Sequence, residues 1–492
     1  MPVTFYIPSC IDFDLLESQY PPTFRPYKRD KLAYLIHKIV SIGSSNKNSF
    51  SSDGFVCLYS PALQNIVSNY LHYLDYAANA GLIEKNNSYL VGKFSKSYRL
   101  TVDNTIEVFN YIPTDFTLLA ALRNYRNKKE KTVVHHKHLN QWFNSKLAID
   151  IELVTTFLEE EWLLKNGNEA LWDFDSAKKV FKSPYQQLVF SKISAEQLAR
   201  GAYNLKIDDN VYRYHSNFTN MRGLIRNAVT YDGQPLVAVD ICNSQPYFSL
   251  LLLEKKFWSQ LLAFFKNHHK KLSKYEPNLI STFFNRIKLN KSNDRITISA
   301  IIMLGEMMLS LMDKGLKEDV KRYKDLVVTG QLYEYLEEQF KRELDLPTID
   351  RTTAKVALLQ AFFSDNRFIG TEEAAPKRCF SQLFATVYKV FSIIKRKDKR
   401  TLALLLQNIE SYFIVDVISK RISSEYPDLP IFTIHDSIVT TVGNEALVSQ
   451  IITEELEKGI GVAPKLKFEY WDIRNIDTYL QGLKIKAGVL SA

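Results

Sequence analysis

Cysteine is scarce in this chain: four in 492 residues (Cys10, Cys57, Cys242, Cys379), far apart and never as CxxC. That excludes a zinc knuckle or a disulfide scaffold and fits a reducing compartment. Glycine and proline are few, at 17 and 16, which excludes a loop-rich or collagen-like chain. The opening "MPVTFYIPSCIDFDLLESQ" has no basic segment followed by an apolar core, so it does not read as a signal peptide. Long apolar runs are missing as well: "ISAIIMLGEMMLSLM" is too short and too interrupted to span a bilayer. The expectation is a cytoplasmic protein that does not engage a membrane.

What the chain does have is core-forming material. It carries 27 Tyr and 30 Phe at 46% hydrophobic and 24% charged content, a globular profile with length for roughly two to four domains. Lys and Arg outnumber Asp and Glu, 63 to 54, which favours a polyanionic partner without naming one. No internal repeat or low-complexity tract is visible.

Residues 30 to 101 carry a local pattern. "SPALQNIVSNYLHYLDYAANAGLIE" has apolar residues at helical spacing, opened by Ser60-Pro61 and closed by Gly81. Two short β-rich runs follow, "NNSYLVGKFSKSYRLTV", around a basic bend. Helix, helix and hairpin resemble a winged helix-turn-helix, which would set Lys93, Lys96 and Arg99 as wing charges on a DNA backbone. A protein-interaction domain with an ordinary hairpin would read the same. The polar run "RNYRNKKEKTVVHHKHL" reads as a basic linker, and its His135, His136 and His138 lack the spacing of a metal site. From 139 to 200 the pattern is helical, with "SAEQLARGAYNL" as a capped helix. Asp150-x-Glu152 superficially matches the opening of a proofreading exonuclease, but too little chain follows to supply that fold. The expected layout is 1–122 winged-helix-like, 123–138 linker, 139–200 helical and 201–492 the chemical domain.

Three segments of that last domain carry charge where burial is expected. "LVAVDI" is a buried-strand pattern ending in Asp240, a carboxylate costly to desolvate unless a cation meets it. A cap for the following "SQPYFSLLLL" helix would look alike. In "IDRTTAKVALLQAFFSDNRF", Arg351, Lys355, Leu359 and Phe363 fall four apart, in a row along one helix. Two cations and an aromatic so aligned suit a triphosphate and a base, though a solvated basic edge beside a core ring would match too. Finally "LLLQNIESYFIVDVISKRI" leads a helix with Gln407 into "IFTIHDSIVTT", a hairpin with His435 and Asp436 at its bend.

Their order matters more than any one of them. "RYHSNFTNM", "DICNSQPYF", "RTTAKVALLQAFFS", the Gln407 helix and "TIHDS" follow one another as do the motifs of DNA polymerase family A. There motif A looks like "DYSQIEL", motif B like "RxxxKxxxFxxxYG" and motif C like "VHDE". The resemblance covers roughly residues 200 to 475. It implies an α+β right-hand polymerase, with thumb, palm bearing an antiparallel sheet and helical fingers, behind the winged-helix-like module. The thumb would fall in 139–200.

By that resemblance Asp240 and Asp436, with Ile241 beside them, hold two Mg²⁺ ions, or Mn²⁺ in their place, which would activate a primer hydroxyl and neutralise the triphosphate. Arg351 and Lys355 would grip phosphates, with Lys355 also a proton donor to pyrophosphate. Phe363 would stack near the templating pair, and Arg213, Asn220, Gln407 and His435 would touch primer and template. The implied partners are primer-template DNA, deoxynucleoside triphosphates and replication accessory proteins. Departures are plain: Ser437 follows Asp436 where the family often has a second acid, Leu359 replaces Phe or Tyr, and Ser364 replaces Gly. Gln245 stands at the sugar-discriminating position, where its bulk favours deoxynucleotides. Together with Phe363 it leans toward a DNA polymerase over an RNA polymerase or primase. A non-catalytic replication initiator is the reading from another class, and the retention of Asp240, Arg351, Lys355 and Asp436 speaks against it.

Overall fold

The computed structural model describes residues 3–45, 54–90, 95–101, 108–130, 133–175, 180–267, 298–312, 318–344 and 351–489, and Lys93 lies outside them. The chain mixes helix and sheet and divides into two units. One comprises Met1–Lys206, His215–Leu236 and Tyr470–Ala492; the other comprises Ile207–Tyr214 and Val237–Glu469. This division differs from the four segments read from the sequence, because residues far downstream pack with early ones.

The first unit begins with a strand, Phe5–Pro8, paired antiparallel to Val108–Tyr111. Helix Arg29–Ser45 is followed by strand Val56–Cys57, helices Ser60–Ile66 and Tyr70–Asn79, and strands Ile83–Asn86 and Ser97–Leu100. Pro61 sits in the first turn of its helix, where its missing N–H costs nothing. Gly81, at φ +73°, turns the chain out of the second helix. The three strands lie in the order first, third, second, with Val56 opposite Tyr98 and Ile83 opposite Leu100. Leu63, Val67, Tyr73 and Leu74 join one core with Leu32 and Leu35 of the long helix. The outer face of Tyr70–Asn79 shows Leu71, His72, Asp75 and Asn79, without a lysine or arginine. Asp75 is paired with Lys85.

The basic run expected as a linker is different. Residues 123–130 are the second half of helix Phe116–Glu130, and a short helix, Lys137–Asn140, follows. Its apolar partners are Leu118, fully buried, and Leu122, which a composition-based reading of the run overlooks. Downstream, Asp150 is the N-cap of helix Ile151–Lys165, its Oδ1 accepting from the Leu153 amide at 3.0 Å, which accounts for the acid without any chemistry. Ser194, expected to cap a helix, is buried inside Pro184–Ala199, and Ser183 caps that helix instead. Strand Leu147–Ile149 pairs with Val229–Tyr231, which pairs with the first residues of strand Gln234–Ile241. The C-terminal helix Arg474–Lys486 packs on Ile151–Lys165. There the buried Glu161 and Lys165 form a hydrogen-bonded set with the partly exposed Arg222, Asp173 and Tyr479.

The second unit is built on the rest of strand Gln234–Ile241. Val237, Ala238, Val239 and Ile241 are all buried, the continuous apolar run of a strand covered on both faces. Strands Ser437–Thr441 and Leu466–Tyr470 both pair with it, and Phe432–Ile434 pairs with Ser437–Thr441. Helices surround this sheet. One of them, Thr401–Ser411, runs on through a π-helical segment, Tyr412–Ile418, into Ser419–Glu425. Among the described residues this run alone is long and apolar enough to cross a membrane, yet 61% of its apolar window is buried in the protein, as in a core helix.

Candidate active site

The site is assembled by turns at the ends of two strands. Pairing of Ile434 with Ser437 leaves His435 and Asp436 as the two-residue loop of the hairpin. His435 takes a left-handed φ of +53°, a conformation that a β-branched residue at that point would resist. The Ser437 hydroxyl donates to the Ile434 carbonyl at 2.9 Å and closes the turn. Asp436 stays half-buried at the bend and His435 is exposed. At the other strand, Asn243 with φ +54° swings the chain out of Gln234–Ile241 into the helix Ser244–Ser249.

Asp240 and Asp436 thereby come into electrostatic range of each other. Burial raises the Asp240 carboxyl above the ordinary carboxylate range, and the charge of Asp436 raises it further. Lys467 opposes both, its Nζ 2.9 Å from Asp240 Oδ2, while Glu469, two residues on along the same strand, adds to the negative field. Two carboxylates held against mutual repulsion are the donor set a divalent cation relieves. Among the described residues no three His, Cys, Asp or Glu side chains form a metal-ligand group. Mg²⁺ tolerates that sparse arrangement, since it is commonly held by one or two carboxylates with water and substrate phosphates completing the shell. The Ile241 backbone, adjacent to Asp240, could add one oxygen.

Cations flank this pair. Arg351 opens helix Arg351–Phe363, and its charge reaches both Cys242 and Tyr333, the latter also feeling the charge of Asp436. Its guanidinium is engaged: Nε lies 2.6 Å from Glu334 Oε1 and the group stacks 5.3 Å over the Tyr333 ring. A phosphate would have to displace Glu334, a small cost for so exposed a pair, ~1 kcal/mol or less. Lys355, one turn on, is exposed; Phe363, at the helix end, is half-buried against Phe362. Two lysines that the sequence reading passed over anchor that end. Lys395 Nζ donates to the Ala361 and Ser364 carbonyls at 2.5 and 3.2 Å, and Lys377 Nζ to the Ser364 hydroxyl and Asp365 carbonyl at 3.0 and 2.7 Å. They meet the negative end of the helix dipole. Burial, with the neighbouring Lys377 charge, pushes Lys395 down to about 7.

The residue most conspicuously missed is Glu410. It is 1% exposed on helix Thr401–Ser411, and Arg213 grips it with both prongs, Nε to Oε1 and Nη2 to Oε2, each at 2.8 Å. Gln245 Nε2 donates to the same carboxylate at 2.6 Å. Burial pushes the Glu410 carboxyl up to about 7; Arg213 works against this, and the charge of Asp436 works with it. The guanidinium of Arg213, expected to touch primer and template, is committed to this buried acid. Gln407 lies half-buried one turn before Glu410.

Of the candidates, Arg213, Asp240, Ile241, Gln245, Arg351, Lys355, Phe363, Gln407, His435 and Asp436 all fall in the second unit. Asn220, Lys96 and Arg99 fall in the first. Arg99 is tied to Glu84 at 2.5 Å and stacks on Phe55, and Lys96 donates to Asn87 at 3.1 Å. The expected wing is thus less electropositive than its sequence, Arg99 being largely neutralised.

No protein-family model matches this chain, and no curated protein matches it. Among solved structures, the POL domain of Pol1 from M. smegmatis, in complex with DNA primer-template and dNTP, is similar over 90% of this chain and 81% of that one. The identity is 12% and the TM-score 0.27, and at that degree of likeness nothing about the activity of this chain follows from it.

Proposed function

We propose that the chain is a template-dependent nucleotidyltransferase, and specifically a DNA-directed DNA polymerase without a proofreading exonuclease. One observation carries the reading. Asp240 and Asp436, separated by nearly two hundred residues of sequence, stand at the ends of paired strands close enough for the charge of Asp436 to raise the Asp240 carboxyl, with Arg351 nearby. Mg²⁺ held there by Asp240, Asp436 and the Ile241 carbonyl would supply charge neutralisation and activation of a hydroxyl.

The side chains divide the remaining work. Arg351 exchanges Glu334 for a phosphate oxygen, a bidentate match for its planar fork. Lys355, exposed on the same helix face, adds a second cation and a proton source for the leaving group. The Lys377 and Lys395 contacts hold the helix that presents both. Gln245 faces the sugar of the incoming nucleotide, and Phe363 offers a ring at the end of the helix.

Purified protein with Mg²⁺, a labelled primer-template and either deoxynucleotides or ribonucleotides tests this directly, beside an unprimed strand and the Asp436→Ala variant. Primer extension by deoxynucleotides that disappears in Asp436→Ala is expected. Synthesis on the unprimed strand or preference for ribonucleotides would move the assignment to a primase or RNA polymerase. No incorporation at all, with DNA binding intact, would overturn catalysis.

A further inference from the structure

The basic run at 123–138, which the polymerase reading leaves without a role, borders a cleft of about 900 Å³ in the first unit. That is the upper end of the range for small-molecule pockets. One wall is a face of helix Arg29–Ser45, with Tyr34, His37, Lys38 and Ser41 spaced i, i+3, i+4 and i+7. A second is the same stripe on helix Phe116–Glu130: Leu119, Leu122, Arg123 and Arg126. Stripes at this spacing ordinarily close on a neighbouring element, whereas both of these open onto one space. The segment 197–205 supplies a third wall.

The lining carries charge of one sign. Lys38, Arg123 and Arg126 border the cleft, and no Asp or Glu does. Arg123 and Arg126 are exposed, about one turn apart on their helix. The Arg123 guanidinium makes no hydrogen bond or ion pair among the described residues. Cations gathered along one cleft repel each other, and the field they focus draws in an anion. Aromatic rings stand beside them. Lys38 Nζ lies 5.9 Å from the centre of the Tyr34 ring. Tyr34 is 4% exposed, its hydroxyl has no hydrogen-bond partner among the described residues, and Tyr125 is close enough to act on it electrostatically. A buried tyrosine hydroxyl normally finds a partner, so this one is a donor left for what enters the cleft. The Tyr203 ring is fixed, its hydroxyl donating to the Asn144 carbonyl at 2.6 Å and Phe143 meeting it edge to face.

Cations beside ring faces are what unpaired nucleotides require, since the bases stack while the backbone follows the positive charge. No glycine lines the cleft, so there is no close backbone cradle for a terminal triphosphate. The arginines are instead strung along a helix face, as suits successive phosphates of a strand. We propose that this cleft binds a short run of single-stranded nucleic acid, with bases against Tyr34, Tyr125 and Tyr203 and phosphates on Lys38, Arg123 and Arg126. It lies wholly in the first unit, holds none of the residues of the proposed active site, and does not depend on the polymerase reading.

An oligothymidylate of about twelve nucleotides carrying 5-iodouracil, photocrosslinked to the intact chain and mapped by peptide mass spectrometry, tests this. Adducts on the peptides that hold Tyr125 or Tyr203 are expected. Their yield against oligomer concentration gives the affinity of this site alone, whatever the second unit binds. Arg123→Ala with Arg126→Ala should weaken that affinity about fivefold or more and lower the log–log salt slope by about 1.4, about 0.7 for each cation removed. Arg123→Lys with Arg126→Lys should keep the slope. Tyr125→Ala, read at the Tyr203 peptide, should weaken binding about fivefold or more with the slope unchanged. The unfolding midpoint is measured for each variant, and if the double alanine variant does not fold, Arg123→Ala alone should lower the slope by about 0.7. Absence of first-unit adducts, or affinity and slope unchanged in the arginine variants, overturns the proposal. So does loss of those adducts to an equimolar amount of dTTP, which would make the cleft a mononucleotide pocket, or of a duplex of the same length, which would make it a duplex surface. A chain that gives these adducts but extends no primer loses the polymerase reading alone.

Discussion

Replacing Glu161 by alanine should strip the first unit of a large part of its stability. Glu161 Oε1 accepts from Lys165 at 2.9 Å, Arg222 at 2.8 Å and the Tyr479 hydroxyl at 2.6 Å, while Oε2 accepts from Arg222 as well. Lys165 reaches a second acid, Asp173, at 3.0 Å, so two acids balance two bases. Side-chain exposure is 5% for Glu161 and 2% for Lys165. Burial alone would raise the Glu161 carboxyl, but the hydrogen bonds and charge of Arg222, with the charge of Lys165, bring it down to about 2. A fall from 4.5 to about 2 corresponds to ~3 kcal/mol at neutral pH, in line with the ~3–5 kcal/mol cost of orphaning one partner of a buried ion pair. Because the folded value is depressed, this contribution is complete above pH 4.5 and disappears as the pH falls toward 2. Equilibrium urea unfolding at pH 7 should give Glu161→Ala a loss of ~3–5 kcal/mol. The double variant Glu161→Gln with Lys165→Met, which removes one charge of each sign, should recover at least half of it. A loss below about 1 kcal/mol, or a double variant no better than the single, would refute the picture of a balanced buried set.

Other perturbations have equally definite expectations. Burial pushes the His37 imidazole down to about 3, with Tyr6 N donating to Nδ1 at 3.0 Å, so the folded state holds it neutral. Stability should then fall as pH drops below 6.5, by up to ~1.4 kcal/mol per pH unit, and His37→Asn should flatten that slope in unfolding measured between pH 6.5 and 4. A Cβ at Gly459 would overlap the Phe413 ring, so Gly459→Ala should destabilise the second unit by ~1–3 kcal/mol in the same assay. If the hairpin Ile83–Asn86 with Ser97–Leu100 rests on a DNA backbone, Lys96→Ala should weaken duplex binding uniformly across sequences and reduce the log–log salt slope by about one. An unchanged slope would leave the module as a protein-binding surface, consistent with the absence of lysine and arginine from the outer face of Tyr70–Asn79.

The chemistry-bearing turns were legible because their signals are local. β-branched runs on both sides of His435-Asp436 leave room only for a hairpin, and the unbroken apolar stretch before Asp240 announces a strand covered on both faces. Arg351, Lys355 and Phe363 were readable as one helix face for the same reason. Glu410 was not. In "LLLQNIES" both Gln407 and Glu410 look like surface polar residues of an amphipathic helix, and only Arg213, 197 residues earlier, makes burial of the acid tolerable. A long-range partner leaves no trace in periodicity. The basic run 123–130 was misread by the converse failure: composition outweighed Leu118 and Leu122, which give its helix a buried side. Arg351 and Arg99 were read by charge alone, and their pairing with Glu334 and Glu84 also comes from residues outside their own segments.

The strand that carries Asp240 begins in one unit and ends in the other, and the chain passes between units at 206/207, 214/215, 236/237 and 469/470. The order of synthesis therefore conflicts with the order of assembly. Phe218 meets Trp471 edge to face, and Glu161 receives Tyr479, so the first unit must wait for residues made after the whole second unit has emerged. On a ribosome the second unit can close first, and the early residues are left with an incomplete core for the time it takes to add about 240 more. A chaperone that holds nascent apolar segments should bind this chain longest through residues 147–230, and slower translation of the second unit should prolong that binding.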